Sequence, residues 1–178
     1  MRIKRGLLAL ALSAILGIGQ LQAADHGYKG FVEGGFTAGL GNWDFHRLEI
    51  LTSHGYQFSP YLFVGGGLGF QYYTLPEWFE LPLFVDLRSS LLPGRKLTPV
   101  VGVKMGYTLD LSDGITGNGF FASPTVGLRY ALNGHGALRF DIGYVVQRTG
   151  IEIYIPGIYY DTQQISLNGL ALRLGYEF

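Results

Sequence analysis

The chain has 178 residues, with 13 basic and 13 acidic side chains, 28 glycines and no cysteine. The balanced charge argues against a nucleic-acid partner, and the missing cysteines exclude disulfides and thiolate metal sites. Aromatic residues make up 15% of the chain, yet beyond the N-terminal segment no apolar run is long enough for a membrane-spanning helix. Such a composition is typical of chains that meet lipid through alternate residues of many short strands.

The N-terminal segment predicts export. A basic start (MRIKR) precedes an apolar stretch at residues 6–18 and a polar step that ends at Ala23. The apolar stretch would span ~20 Å as a helix, less than the ~30 Å hydrocarbon core of a bilayer. We therefore predict a cleaved signal peptide over residues 1–23 and a barrel domain over residues 24–178. Cleavage removes three basic residues, which leaves 10 basic and 13 acidic side chains in the mature chain.

Eight later segments alternate apolar residues with small or charged ones, the period of two that indicates β-strands. In chain order they cover residues 29–40, 47–50, 62–71, 83–88, 101–108, 126–130, 138–147 and 169–178. The last segment has the clearest pattern, because every second residue from Leu170 to the terminal Phe178 is large and apolar. An even number of strands is expected of a closed membrane barrel.

The connections between these segments alternate in length. Residues 59–60, 93–96 and 133–136 form short turns rich in Pro, Gly and Asn, whereas residues 41–45, 74–80, 110–119 and 149–163 form longer loops. The pattern predicts an eight-stranded antiparallel up-and-down transmembrane β-barrel. In an outer membrane its termini and short turns would be periplasmic and its longer loops extracellular.

The charged residues of the strands share one parity, opposite to that of the apolar residues. A soluble barrel of the lipocalin type would place the apolar parity inside, whereas a membrane barrel places it outside. We therefore predict that the charges form a barrel-interior ionic network that fills a narrow lumen, with no solute pore. The network comprises Glu33, Arg47, Glu49, Asp86, Arg88, Lys104, Arg129, Arg139, Asp141, Arg173 and Glu177.

Six of these residues, on neighbouring strands, are expected to form the centre of the network. The alternative is that some of them lie hydrated at the rims of the barrel. The six are Arg47, Glu49, Asp86, Arg88, Lys104 and Arg129.

The C-terminal alternation resembles the signature of outer-membrane barrel proteins that the barrel-assembly machinery recognises. The predicted assembly signal consists of Leu170, Leu172, Leu174, Tyr176 and Phe178. The architecture resembles OmpA/OmpX-type barrels. Residues 47–50 (RLEI), 54–58 (HGYQF), 64–69 (VGGGLG) and 81–88 (LPLFVDLR) look like uncharacterised outer-membrane barrel proteins of Bacteroidota. This resemblance implies the fold and an outer-membrane location, and it implies no activity.

The histidines do not form a catalytic pattern. His46 is the only one at the predicted extracellular end, near Asp44, and no Ser completes a nucleophilic set around it. His26 precedes the first strand, His135 lies in a short turn, and His54 points outward at the membrane interface. We expect no catalytic residue, no metal site and no cofactor, because no two histidines have a ligand spacing.

These observations favour a non-enzymatic outer-membrane protein that contacts lipid and lipopolysaccharide. It would serve envelope integrity, or bind a surface protein partner through its external loops, of which residues 149–163 form the longest. The alternative is a lipid A-modifying enzyme, and a narrow channel is the third possibility.

Overall fold

The computed structural model describes residues 26–41, 44–74, 77–111, 116–132, 136–155 and 158–178, with side chains except at residues 116–118 and 150–164. The predicted signal peptide lies outside these residues. No helix among them is long and apolar enough to cross a membrane. The strands are β1 (Gly27–Leu40), β2 (Arg47–Ser59), β3 (Leu62–Thr74), β4 (Glu77–Ser90), β5 (Leu97–Asp110), β6 (Thr116–Ala131), β7 (Ala137–Ile155) and β8 (Ile158–Glu177).

Each strand pairs antiparallel with its sequence neighbours, and β8 pairs with β1, so that the sheet closes in the order β1 to β8. The predicted eight-stranded up-and-down barrel is confirmed. We call the end at which β1 begins and β8 ends, and which carries the connections β2–β3, β4–β5 and β6–β7, the turn end, and the opposite end the loop end. At the turn end, Gly94 and Gly136 have φ angles of +82° and +74°, which non-glycine residues rarely adopt.

The predicted loop at residues 74–80 is wrong, because strand pairing continues through most of it. Within residues 149–163 the alternation of the first half predicts that the last two strands continue as a projecting hairpin around Pro156–Gly157, and this is confirmed. Two residues separate the end of β3 at Thr74 from the start of β4 at Glu77. Two residues likewise separate the end of β7 at Ile155 from the start of β8 at Ile158. Conversely, six residues separate β4 from β5 at the turn end. Connections at both ends have two to six residues, so the predicted contrast in length between the two ends is wrong.

Strands β7 and β8 form a hairpin that extends beyond its neighbours. These strands have 19 and 20 residues, against 13 to 16 in the others. Their ladder continues to the pair Ile155–Ile158, whereas the β6–β7 ladder stops at Gln147 and the β1–β8 ladder at Asn168. The end of the hairpin is thus paired only with itself and projects from the loop end.

The alternation of burial determines which face of the wall is apolar. On β2, Leu48 and Ile50 are 52% and 54% exposed, whereas Arg47 and Glu49 are 1% and 3% exposed. The same contrast holds along β8, where Leu172 and Leu174 are exposed and Arg173 between them is buried. The apolar parity therefore faces outward and the charged parity faces the lumen, which excludes the arrangement of a soluble barrel.

Candidate functional site in the barrel interior

Buried side chains line the described part of the lumen from the turn end to the loop end. At the turn end lies the terminal cluster, which consists of Lys29, Arg129 and Glu177. Glu177 accepts a hydrogen bond from Lys29 Nζ at 3.0 Å, and Arg129 Nε and Nη2 each donate to its carboxylate at 2.9 Å. This bidentate geometry is the strongest form of a guanidinium–carboxylate pair. One carboxylate thus joins β1, β6 and β8 at the opening of the lumen.

The next layer is the central cluster of Glu33, Asp86, Arg88 and Lys104, all buried. Arg88 Nη1 and Nη2 donate to Glu33 at 3.0 and 3.1 Å, and Arg88 Nε donates to Asp86 at 2.9 Å. Lys104 Nζ lies 2.8 Å from the second oxygen of Glu33. Two acids and two bases therefore neutralise one another across the lumen, the condition under which buried charges are tolerated.

A second buried pair lies beside the central cluster. Arg139 Nε and Nη2 donate to Asp141 at 3.3 Å. The ring of Phe31 connects the two groups, because its centroid lies 3.9 Å from Cζ of Arg88 and 5.5 Å from Cζ of Arg139. Cation–π contact adds to the stabilisation of both guanidinium groups in a desolvated site.

Glycines on adjacent strands make room for these long side chains. A Cβ atom on Gly127 would lie 2.1 Å from Asp141 Oδ1, and one on Gly175 would lie 2.8 Å from Cγ of Glu33. A Cβ on Gly35 would likewise lie 2.8 Å from Cγ of Arg173. The frequent inward glycines are thus a steric requirement of the ionic interior.

An apolar layer crosses the lumen on the loop side of the central cluster. It consists of Leu51, Phe84, Phe121, Val145 and Ala171, all buried. On β4, Phe84 lies between Asp86 and Glu80, and on β7, Val145 lies between Asp141 and Gln147. The layer therefore divides the polar interior into a turn half and a loop half.

At the level of this layer, Arg173 spans from β8 to β2. Its Nε donates to Glu49 at 2.7 Å and its Nη1 donates to Ser123 at 2.9 Å. Glu49 also accepts hydrogen bonds from Thr37 and Gln71 at 3.3 Å. This pair links β1, β2, β3, β6 and β8 through one carboxylate and one guanidinium group.

The loop half contains a chain of hydrogen bonds in place of an ion cluster. Arg47 Nη1 donates to the hydroxyl of Tyr73 at 2.9 Å, and that hydroxyl donates to Glu80 at 3.1 Å. Glu80 also accepts hydrogen bonds from Gln147 and Thr149. Arg47 is only 1% exposed, yet among the described side chains it has no carboxylate within 4.0 Å.

An aromatic cap closes the loop half. It consists of Tyr73, Ile165 and Leu167, which are buried, and of Phe45 and Trp78, which are partly buried. The Trp78 ring stacks on Tyr73 with centroids 4.2 Å apart, and Phe45 meets Trp78 edge-on at 5.2 Å. Among the described residues, these side chains cover the polar groups at this end.

All eleven residues of the predicted network point into the lumen, and the structure divides them into separate groups. Of the six residues expected to form one centre, Asp86, Arg88 and Lys104 come together and the other three do not, because barrel stagger sets their contacts. Arg129 pairs at the turn end, Glu49 pairs with Arg173, and Arg47 lies in the loop half without an ion pair. Glu33, which is 55 residues before Arg88, completes the group of Asp86, Arg88 and Lys104 by pairing with its two bases.

Sequence reasoning missed three interior residues: Lys29, Tyr73 and Glu80. Lys29 has the parity of Glu33, and Glu80 has the parity of Asp86. Extending each alternation by a few residues would have found both. The predicted loop at residues 74–80 contains Glu80, and the predicted third strand ends at Gln71, before Tyr73.

The predicted assembly signal lies on the outer face at the seam between β8 and β1. Phe178 exchanges two backbone hydrogen bonds of 3.0 Å with Gly30. Its ring lies over Gly30, where a Cβ would come within 2.3 Å of it, and contacts His54 edge-on at 6.0 Å. Leu170, Leu172 and Leu174 are exposed on the same face, and Tyr176 stacks on Phe178. The terminal aromatic thus covers the start of β1.

The described histidines have structural contacts. His54 accepts a hydrogen bond from the Tyr28 hydroxyl at 2.6 Å through Nδ1, and its Nε2 lies 3.0 Å from Oγ1 of Thr52. His46 Nδ1 accepts a hydrogen bond from the Gly39 amide at 3.2 Å, and its ring lies 5.8 Å from that of Phe36. No group of three or more metal-ligating side chains occurs within the described ranges, and His135 lies outside them.

Comparison with known proteins gives matches in structure alone, since no protein-family model and no curated protein sequence matches the chain. The outer membrane protein OprG from Pseudomonas aeruginosa is 13% identical over 89% of this chain and 99% of its own, with a TM-score of 0.60. Neisserial surface protein A is 10% identical over 84% of this chain and 95% of its own, also at 0.60. The chain has the fold of small outer-membrane β-barrels.

A third similar structure is the outer membrane enzyme PagL, which is 12% identical over 80% of this chain and 97% of its own, with a TM-score of 0.52. One protein with this fold is thus an enzyme, so that the fold alone does not determine activity. The narrower resemblance to OmpA/OmpX-type and Bacteroidota proteins stays a prediction.

Proposed function

We propose that this protein is a non-enzymatic integral outer-membrane β-barrel with a blocked polar interior, which serves envelope integrity or surface interaction through its loop end. The observation that supports it is the interior itself. The central cluster and the apolar layer occupy successive levels of the lumen, while large apolar residues cover the outer face. Such a wall holds its place in a bilayer and offers solutes no continuous water path.

In this proposal the turn end faces the periplasm and the loop end faces outward. Both described termini, His26 and Phe178, are at the turn end, as expected for an exported chain that threads from inside. Outer-membrane lipid and lipopolysaccharide would contact the exposed leucines and aromatic residues of the outer face. The barrel-assembly machinery would recognise the strand that ends at Phe178.

Conductance measurement tests the blocked interior. The purified barrel, reconstituted in a planar bilayer, is expected to give no discrete current steps at neutral pH, whereas a porin prepared in parallel conducts. A matched variant, Phe84→Ala with Phe121→Ala, removes two rings of the apolar layer and should produce small steps. Steady conductance of the unaltered protein would contradict the proposal and favour a narrow channel.

The projecting β7–β8 hairpin is the proposed contact for a surface partner. Replacing residues 150–163 by a two-residue turn leaves the β6–β7 pairing, which stops at Gln147, intact. Envelope proteins captured by the full chain should be lost with the shortened chain, while both show the heat-modifiable gel mobility of a folded barrel. Equal capture by both would move the contact away from this hairpin.

One observation favours the alternative, a lipid A-modifying enzyme, because PagL, whose structure is similar, is an outer membrane enzyme. His46 is the only candidate general base, and its described contacts are the Gly39 amide and the Phe36 ring. Mass spectrometry of lipid A from a deletion strain is expected to show no change. A changed lipid A species that the protein restores and His46→Ala does not would establish the alternative.

A further inference from the structure

The interior arginines use one edge of the guanidinium group in a consistent way. Nε and Nη2 lie on the same side of that planar group, so that together they can bind the two oxygens of a carboxylate. Arg88, Arg129 and Arg139 each direct this edge at a carboxylate, on Asp86, Glu177 and Asp141 respectively. This is the rule for arginine in the lumen, and Arg173 follows it only in part, because its Nε donates to Glu49 while its Nη2 has no hydrogen-bond partner.

Arg47 departs from this rule. Its Nη1 donates to Tyr73, but Nε and Nη2 have no hydrogen-bond partner, although the side chain is 1% exposed. The unpartnered edge is the one that carries a carboxylate on the three other residues. An unsatisfied guanidinium edge in a desolvated site is strongly unfavourable, and this makes it the natural position for a bound oxyanion.

Other buried polar atoms without partners lie in the same half of the barrel. Trp78 Nε1, Gln71 Oε1 and Gln147 Oε1 have no hydrogen-bond partner. The Tyr73 ring joins two of these positions, since Arg47 Cζ lies 5.4 Å from its centroid and Trp78 stacks on it at 4.2 Å. Asn168 Oδ1 and, at the level of the apolar layer, Arg173 Nη2 also have no partner. Most of the buried donors and acceptors without a partner therefore lie in the loop half, at or beneath the aromatic cap.

We propose that the Nε/Nη2 edge of Arg47, beneath the aromatic cap, is a binding site for a small carboxylate. The carboxylate takes the place that Asp86 has on Arg88 and Glu177 has on Arg129. It enters at the loop end past Phe45 and Trp78, the two partly buried members of the cap. The site goes beyond the proposed function and does not depend on it, because the apolar layer separates it from the turn half.

Trp78 provides the reporter for the test, since the chain has two tryptophans and Trp43→Phe leaves only this one. The mature barrel in detergent micelles is titrated with sodium acetate against sodium chloride at constant ionic strength and pH. Acetamide, which has the same shape without the charge, is titrated in parallel. We expect a saturable change in Trp78 emission and a shift of the Arg47 Nε–Hε NMR resonance with acetate alone.

Variants identify the group that binds. Arg47→Gln should weaken the acetate response at least about tenfold, and the matched control Arg148→Gln, on an exposed arginine, should leave it unchanged. Arg47→Lys keeps the charge but lacks the two-nitrogen edge, so it should weaken binding similarly, and it serves if Arg47→Gln does not fold. An unmoved emission and resonance in the unaltered barrel, or full binding by either variant at residue 47, would overturn the proposal. Conductance is expected to stay absent in every case, which keeps this outcome separate from the proposed function.

Discussion

The two halves of the lumen are built from the same strands and satisfy their polar groups differently. In the turn half, Glu33 and Glu177 each form ion pairs with two cationic side chains, and every described arginine of the lumen there has a carboxylate partner. In the loop half, Arg47 reaches Glu80 only through the Tyr73 hydroxyl, and several buried atoms have no partner. The apolar layer lies between the two halves.

Buried polar groups therefore have different roles in the two halves of the lumen. A matched ion cluster adds cross-lumen links between distant strands, and it tolerates no missing member, because the remaining charge would be buried alone. A hydrogen-bonded chain in which some donors and acceptors have no partner adds less rigidity, and those groups can bind an added ligand. We therefore expect substitutions in the turn half to affect the free energy of unfolding more than substitutions in the loop half.

The largest effect is expected from Arg88→Met. The substitution leaves Glu33 and Asp86 facing one buried cation, Lys104, in place of two. Removing one partner from a buried ion group lowers the free energy of unfolding by about 3–5 kcal/mol. Reversible denaturant unfolding from lipid vesicles measures it, with Arg148→Met at an exposed position as the control. A loss below about 1 kcal/mol would remove the distinction between the two halves.

A smaller loss is expected from Gly127→Ala in the turn half. The new Cβ would lie 2.1 Å from Asp141 Oδ1 and 2.4 Å from the Phe140 carbonyl oxygen, so Asp141 must move away from Arg139. Overpacking of this kind typically lowers the free energy of unfolding by about 1–3 kcal/mol. Gly34→Ala is the matched control, since a Cβ there meets nothing within 4 Å. Equal stability of the two variants would show that the interior is not sterically matched.

Sequence alone predicts the inward parity of eleven charges and misses Lys29 and Glu80. The prediction rests on a period of two and an apolar C-terminal face, which determine which side of each strand faces outward. It could not give the pairings. Arg88 meets Glu33 across the lumen from a strand 55 residues away, and that contact depends on the stagger and closure of the barrel. Arg47 and Glu49 are adjacent on one face of β2, yet one lies in the loop half without a carboxylate and the other pairs with Arg173.

The ends of the strands were harder to predict than their centres. Glu80 was missed because it lies in the predicted loop at residues 74–80, whereas β4 begins at Glu77 and accommodates Pro82 within the strand. The β3–β4 ladder skips the two residue pairs next to that proline, between Leu68–Leu83 and Gln71–Glu80. A missing amide donor thus interrupts the pairing locally without ending the strand.

Binding of a carboxylate at Arg47 would raise the free energy of unfolding, which provides a further comparison of the two halves. A ligand that binds only the folded barrel raises the free energy of unfolding by RT ln(1 + [L]/Kd), or about 1.4 kcal/mol at ten times Kd. Acetate should therefore stabilise the unaltered barrel against denaturant relative to chloride at equal ionic strength, and it should not stabilise Arg47→Gln. An equal gain in both proteins would indicate a general salt effect.

The smallest effect is expected from Arg47→Met measured in chloride, without a carboxylate. The substitution removes a buried guanidinium group whose Nε and Nη2 are unsatisfied, and the methionine side chain fills a similar volume beneath Tyr73. Glu80 keeps its hydrogen bonds from Tyr73, Gln147 and Thr149. Replacing a poorly matched buried charge by an apolar residue is often neutral or stabilising, so the free energy of unfolding should change by less than about 1 kcal/mol or increase. The same chemical change at residues 88 and 47 thus compares the two halves directly. A loss at residue 47 as large as that at residue 88 would mean that Arg47 is as well compensated as Arg88, and that the loop half has no spare guanidinium edge.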